Sequence, residues 1–116
     1  MCLKRKTCAV PNTDKLFAGE TAILTAGGQA WLQQFFASKG AIAYAVYGHT
    51  DKRGSSQYSK RLSKSRAEVV ADIARASGAT IERVIGFGDS RPIARNDTPA
   101  NMQKNRRVEI ICFRYP

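Results

Sequence analysis

With 116 residues the chain has material for one ordinary hydrophobic core and not for two. Apolar residues make up 43%, which argues against a disordered basic tail, and no run approaches the roughly 20 apolar residues of a membrane-spanning helix. Nineteen Lys and Arg stand against nine acidic residues, a net charge of +10, so the expected partner is polyanionic or rich in carboxylates.

Residues Met1 to Asn12 join the basic cluster Lys4-Arg5-Lys6 to Pro11 and a turn-prone Asn12-Thr13-Asp14. They read as a tail or linker ahead of a domain covering Thr13 to Pro116. Lys15-Leu16-Phe17-Ala18 is the expected first strand. Thr25 is placed to cap a helix whose apolar residues Leu32, Phe35 and Phe36 lie within Gln29 to Ser38 and which Gly40 ends. Gly27 and Gly28 weaken its first turn. Ala41 to Tyr47 is apolar at almost every position, as in a strand covered on both faces. A polar loop from Asp51 leads to a helix capped by Ser55 or Ser56 and running to about Ser77, where Gly78 stops it. Val84 to Phe87 reads as a strand in which Gly86, with Gly88 beyond it, implies close backbone approach. Ala94 to Asn105 is a polar loop with room for one helical turn, ahead of a last strand from Arg107 to Phe113. This order specifies an α/β (α+β) fold: a two-layer βαβαβ(α)β sandwich with a small mixed sheet and helices on one face. The strand Ala41 to Tyr47 belongs at its centre.

At 100° per residue, Leu62, Arg66, Val69, Val70 and Ile73 fall on one narrow stripe of the second long helix. Arg66 thereby sits among core-facing residues, where a guanidinium requires a carboxylate or an acidic ligand. Asp51, at the carboxyl end of the central strand, is the natural neighbour, and open α/β sheets place ligands at that end. Two readings follow. The pair is an internal salt bridge holding loop to helix, or it divides its work, Asp51 taking an ammonium and Arg66 a carboxylate of one zwitterion.

Four ordered motifs bear on that choice. They are Gly48-His49-Thr50-Asp51; Leu62-Ser63 with Arg66-Ala67 and Val70; Gly86-Phe87-Gly88 followed by Arg91-Pro92-Ile93-Ala94; and Asn105-Arg106-Arg107-Val108-Glu109-Ile110. From about Lys15 to Phe113 the chain resembles the OmpA-like C-terminal domain. That domain is the periplasmic peptidoglycan-binding module of outer-membrane proteins, peptidoglycan-associated lipoproteins and flagellar stator proteins. The resemblance implies that Asp51 and Arg66 match the pair that binds the diaminopimelate of the stem peptide. It also implies that Thr50 orients Asp51 or touches the ligand, that Leu62 walls the pocket, and that Asn105 and Arg106 form a structural and ligand-proximal element. The family's Phe-x-Phe-Asp-Ser loop corresponds here to Phe17-Ala18-Gly19-Glu20-Thr21, so the second aromatic is Gly19 and the fine contacts of that wall differ. The implied place is the periplasm, in association with the outer membrane or another envelope assembly. The amino end has a basic cluster but no apolar signal core, so export is expected to be directed by a longer precursor.

Cys2, Cys8 and Cys112 are an odd set without Cys-x-x-Cys spacing. Cys112 alternates with Val108 and Ile110 and is expected to be a small buried apolar residue. A Cys2–Cys8 disulfide or idle thiols are the readings for the other two, with a lipidated Cys2 as the rival. His49 is the only histidine and reads as a turn or packing residue, since no nucleophile elbow, catalytic cysteine signature or metal-ligand cluster accompanies it. Gly86-Phe87-Gly88 is no dinucleotide fingerprint, because the third glycine is missing. No enzyme activity and no cofactor or metal are expected. The rival class is a nucleic-acid binder, favoured by charge and aromatics, but no recognisable reading motif accompanies the dispersed basic residues.

Overall fold

The computed structural model describes residues 3–38 and 40–115. Four strands, β1 (Lys4–Ala9), β2 (Ala43–His49), β3 (Ile81–Gly88) and β4 (Arg107–Arg114), form one sheet in the order β1-β4-β2-β3. β2 runs parallel to β3 and antiparallel to β4, and β1 closes the other edge antiparallel to β4. The helices are α1 (Thr13–Leu16), α2 (Ala26–Ala37), α3 (Ser56–Ala76) and α4 (Pro99–Asn105). None of them, among the described residues, is long and apolar enough to cross a membrane.

Local chemistry sets the helix ends. Thr25 Oγ1 accepts from Gly28 N at 2.9 Å and opens α2, three residues earlier than the apolar pattern alone places it. Ser55 Oγ accepts from Tyr58 N at 3.1 Å to open α3, and Gly78, with φ of +90°, ends it. Thr98 caps α4 ahead of Pro99, whose ring suits a first helical position.

The principal core lies between the sheet and α1, α2 and α3, and is built on Leu16, Phe17, Leu32, Phe36, Val46, Val70, Val108 and Ile110. The buried stripe of α3 is Ser59, Ser63, Arg66, Ala67, Val70, Ala71 and Ala74. Leu62, Val69 and Ile73, expected on that stripe, flank it half-buried. Small residues take the centre because the helix lies almost on the sheet backbone. Gly48 and Gly86 are paired across β2 and β3, and a Cβ on either would collide with the α3 backbone at Ser63 or Lys64. A second, smaller cluster of Ala45, Tyr47 and Ile111 with Ile85, Phe87 and Phe113 covers the opposite face of the sheet.

Three expectations need correction. Residues 4–9 of the supposed tail are a sheet strand, while Lys15 to Ala18 is not one: Asn12 caps the single turn α1 and only Phe17 makes a bridge, to Leu24. The basic, largely exposed side chains of β1 are those of a protected edge, so they carry no alternating apolar signal. Cys112 is not a lone apolar residue either. It is disulfide-bonded to Cys8 across β1 and β4, with Cα atoms 5.8 Å apart, and Cys8 sits where the β1 register shifts between Thr7 and Ala9. The bond fastens an edge strand that has one sheet neighbour. With Cys8 taken by Cys112, the expected Cys2–Cys8 bond is not formed, and neither Cys8 nor Cys112 is an idle thiol; Cys2 itself lies outside the described residues.

Candidate ligand-binding site

Where β2 ends and α3 begins, the loop after Phe17, the turn at Asp51 and the start of β4 enclose a cleft of about 400 Å³. Asp51, Arg66, Thr50, Leu62 and Arg106 all line it, together with Asp14, Phe17, Glu20, Arg53 and Tyr58. Asn105 does not. It is fully buried, accepts from Ile93 N and Ala94 N at 2.8 and 3.0 Å, and donates to Ala94 O and Asn96 Oδ1 at 2.9 and 2.8 Å. With both donors and both acceptor sites engaged, it ties the loop before α4 in place and has nothing left for a ligand. Of the two roles expected of it, the structural one is the one these bonds serve, and its place among the ligand-binding residues is corrected. Asn96 Oδ1 in turn accepts from Lys52 N at 3.3 Å, which links Asn105 to the backbone beside Asp51.

Asp51 is 4% exposed and crowded with donors. Its Oδ1 accepts from Arg53 N at 3.0 Å, and Oδ2 accepts from Arg53 Nε at 2.9 Å and Arg106 Nη1 at 2.7 Å. Arg106 also grips Asp14 with two parallel bonds of 2.9 Å, which spans a line Asp14–Arg106–Asp51–Arg53. Burial pushes the Asp51 carboxyl up, but bonds from Arg53 and Arg106 outweigh it and hold the pKa below the ordinary 3.8. Bonds from Arg106 lower Asp14 as well, against a smaller opposing effect of burial. Thr50, 8% exposed, donates its hydroxyl to Asp51 O at 3.0 Å and so braces the turn.

Arg66 is as buried as Asp51, at 4% exposure, and is treated in the opposite way. Its Nε and Nη2 donate to the carbonyls of Thr21 and Gly19 at 2.8 and 2.9 Å, and its guanidinium lies 5.2 Å from the centre of the Phe17 ring. No carboxylate of the described residues comes within 4.0 Å of it, Asp51 included. The internal salt bridge offered by the sequence as one reading is therefore not formed. Desolvation lowers the Arg66 pKa, yet an arginine stays charged at any physiological pH. Gly19 has φ of +52°, the left-handed region, and its carbonyl is one of the two that hold Arg66.

Three further residues line the cleft: Glu20 from the wall loop expected there, Arg53 among the basic residues beside Asp51, and Asp14, which the sequence left unread. Asp14 follows an N-cap and gives no sign of the Arg106 that it meets in space. Arg53 carried a signal, since an Asp followed two residues later by an Arg and then Gly54 describes a turn closed on the Asp side chain. Glu20, exposed on the cleft rim, accepts from Tyr58 Oη at 3.4 Å. Three acids and three arginines thus surround the cavity. No group of His, Cys, Asp and Glu among the described residues is arranged to hold a metal. His49 lies apart from the cleft lining, bonded to Glu109 Oε1 at 2.9 Å and stacked on Phe87.

A family model described as the OmpA family matches residues 16–106. The chain belongs to that family. It is 49% identical over 67 residues to the outer-membrane lipoprotein YfiB of Pseudomonas aeruginosa, covering 55% of this chain and 39% of the relative. It is 41% identical over 68 residues to the peptidoglycan-associated lipoprotein of Legionella pneumophila, covering 57% of this chain and 39% of that one. Among solved structures, the cell wall anchor of the T6SS from Pseudomonas aeruginosa superposes with a TM-score of 0.77 at 30% identity, covering 90% of this chain and 79% of the other. The matched region is well under half the length of the two lipoproteins. Arg66, Asp51 and Arg106 all fall inside the span matched to the OmpA family.

Proposed function

We propose that this OmpA-family domain binds peptidoglycan non-covalently through the diaminopimelate of the stem peptide and so anchors an outer-membrane or other envelope assembly to the cell wall. One observation carries the reading: Arg66 is a buried guanidinium in a cleft, with backbone partners and no carboxylate of the described residues within 4.0 Å. A charge in that state is costly to fold around, and an incoming carboxylate relieves the cost with a charge-assisted, fork-shaped contact. Asp51, in the lining of the same cavity, supplies the anionic pole for the ammonium beside that carboxylate. Leu62 and Phe17 give apolar wall for the connecting methylenes, and Arg106 and Thr50 hold Asp51 in position.

The peptidoglycan-associated lipoprotein and the cell wall anchor among the relatives support the choice of polymer, and the arrangement of Arg66 and Asp51 supports the choice of residue on it. The site of action is then the periplasm, facing the wall. Titration with stem peptides that carry diaminopimelate or lysine tests it. The lysine side chain ends in an ammonium without a carboxylate, so the diaminopimelate peptide should bind at least about tenfold tighter, the worth of one good charged hydrogen bond. Equal affinity for the two sinks the reading.

A further inference from the structure

The same cleft contains a cation that competes with the ligand. Arg53 places Nε 2.9 Å and Nη2 2.7 Å from Asp51 Oδ2, while its backbone N takes Oδ1 at 3.0 Å. Arg106 Nη1 shares Oδ2 at 2.7 Å. A carboxylate offers about four acceptor directions, so little of Asp51 is left for a new donor. An ammonium entering beside these two guanidiniums is also repelled by both. Arg106 is fixed, because Asp14 holds it with two further bonds and its side chain is 20% exposed. Arg53 is not. Its side chain is 58% exposed, and Asp51 is its sole hydrogen-bonded acid among the described residues. A second acid is within its field: Glu20, on the cleft rim, whose carboxylate accepts a long bond from Tyr58.

We propose that Arg53 determines the specificity of this cleft by occupying the ammonium position on Asp51 until a ligand displaces it. The proposal rests on the diaminopimelate reading given above. A ligand with an ammonium alone must strip Arg53 from Asp51 and leaves it with Glu20 at best. A zwitterionic end brings a carboxylate, to which the released guanidinium can turn while Arg66 holds the other side. Displacement is therefore offset for diaminopimelate and not for lysine. Selectivity arises from the penalty on the wrong ligand as much as from the fit of the right one.

The experiment is calorimetric titration of wild type, Arg53→Gln and Arg53→Lys with the diaminopimelate and lysine stem peptides, with melting curves as a fold control. In Arg53→Gln the lysine peptide should bind about tenfold tighter than to wild type and the diaminopimelate peptide should stay within about threefold, so the ratio between them narrows. Arg53→Lys, which keeps the charge and loses the fork, should fall between. If wild type discriminates and Arg53→Gln leaves lysine binding unchanged or weaker, the competitor role is wrong while the cleft reading stands. A parallel loss of both peptides makes Arg53 an ordinary contact and also overturns it. If neither wild type nor Arg53→Gln binds either peptide, the cleft reading fails and takes this proposal with it.

Discussion

Two arginines of this domain are buried to the same degree and differ in what closes their charge. Arg107, 3% exposed, lies near the opposite side of the sheet from the principal core. It donates Nη1 to Asn105 O at 3.2 Å, Nη2 to Arg91 O at 3.0 Å, and Nε to Glu109 Oε2 at 3.1 Å. Glu109 in turn takes His49, so the cluster contains its own counter-charge. Arg66, 4% exposed, has two carbonyls and, among the described residues, no acid within 4.0 Å. A closed network stabilises the fold and has no valence left for a partner. An open one holds a charge at the fold's expense, which is the condition for selecting an anion strongly. Burial alone therefore does not separate a structural arginine from a ligand-binding one. On the proposed function, the counter-ion does.

The largest expected effect is on the open side. Arg66→Ala should lose binding to sacculi by tens-fold or more, since truncating one partner of a desolvated charged contact costs roughly 2–5 kcal/mol. The fold should stay in place with at most a modest drop in melting temperature, because removing an uncompensated buried charge offsets the donor lost to the carbonyls of Thr21 and Gly19. Arg66→Lys should bind poorly too, as a compact ammonium does not reproduce the fork on a carboxylate. Sedimentation with purified sacculi beside a thermal melt reads both quantities. A variant that unfolds, with its folded fraction binding normally, would make Arg66 a structural residue like Arg107.

The closed side should answer in reverse. Arg107→Ala leaves Glu109 half-paired and the carbonyls of Asn105 and Arg91 without that donor. The expected loss is roughly 2–3 kcal/mol of stability, with affinity per folded molecule unchanged. Denaturant unfolding measures the first, and titration below the melting temperature the second. Loss of affinity without loss of stability would erase the distinction between the two arginines.

How much of this the sequence carried depends on how local each signal was. β2 and α3 were readable because an unbroken apolar run and a long 3.6-residue periodicity are properties of a single segment. β1 was hidden, since Lys4, Arg5 and Lys6 belong to an edge whose partner, β4, lies at the far end of the chain. The Cys8–Cys112 bond needed that same pairing and the register shift at Cys8 before it could be read. In the site, the motifs located Asp51, Thr50, Leu62, Arg66 and Arg106, and the fold places them around one cavity. Their partners were not legible. The helical stripe makes Arg66 the natural neighbour of Asp51, whereas Arg53 and Arg106 hold it, and Asp14 completes the line from the first helical turn. For Asn105 only the structural half of the expectation holds, because adjacency to Arg106 says nothing about direction and its side chain is bonded to the loop before α4.

The smallest expected effect is on pH dependence, and it separates the two regions by where each one titrates. Burial, with the nearby Arg107 charge, lowers the His49 pKa from its ordinary 6.5 against the opposing pull of Glu109. The unfolded chain then binds a proton that the native cluster resists, so this contribution to stability is present above about pH 6.5 and is lost as pH falls toward the lowered native value. The carboxyls of Asp14 and Asp51 are held below 3.8. Their contribution is present above the unfolded carboxylate value of about 3.9 and is lost only as pH falls through the still lower native values. Stability should therefore begin to decline in mild acid while affinity for the diaminopimelate peptide stays level until pH drops below about 4, where the ligand carboxylates also begin to protonate. Chemical unfolding and peptide titration at half-unit steps from pH 8 to 3.5 give the two curves, and His49→Gln should flatten the first without moving the second. If affinity fell together with stability from pH 6.5 downward, and His49→Gln flattened both, the cleft and the histidine cluster would be one coupled unit.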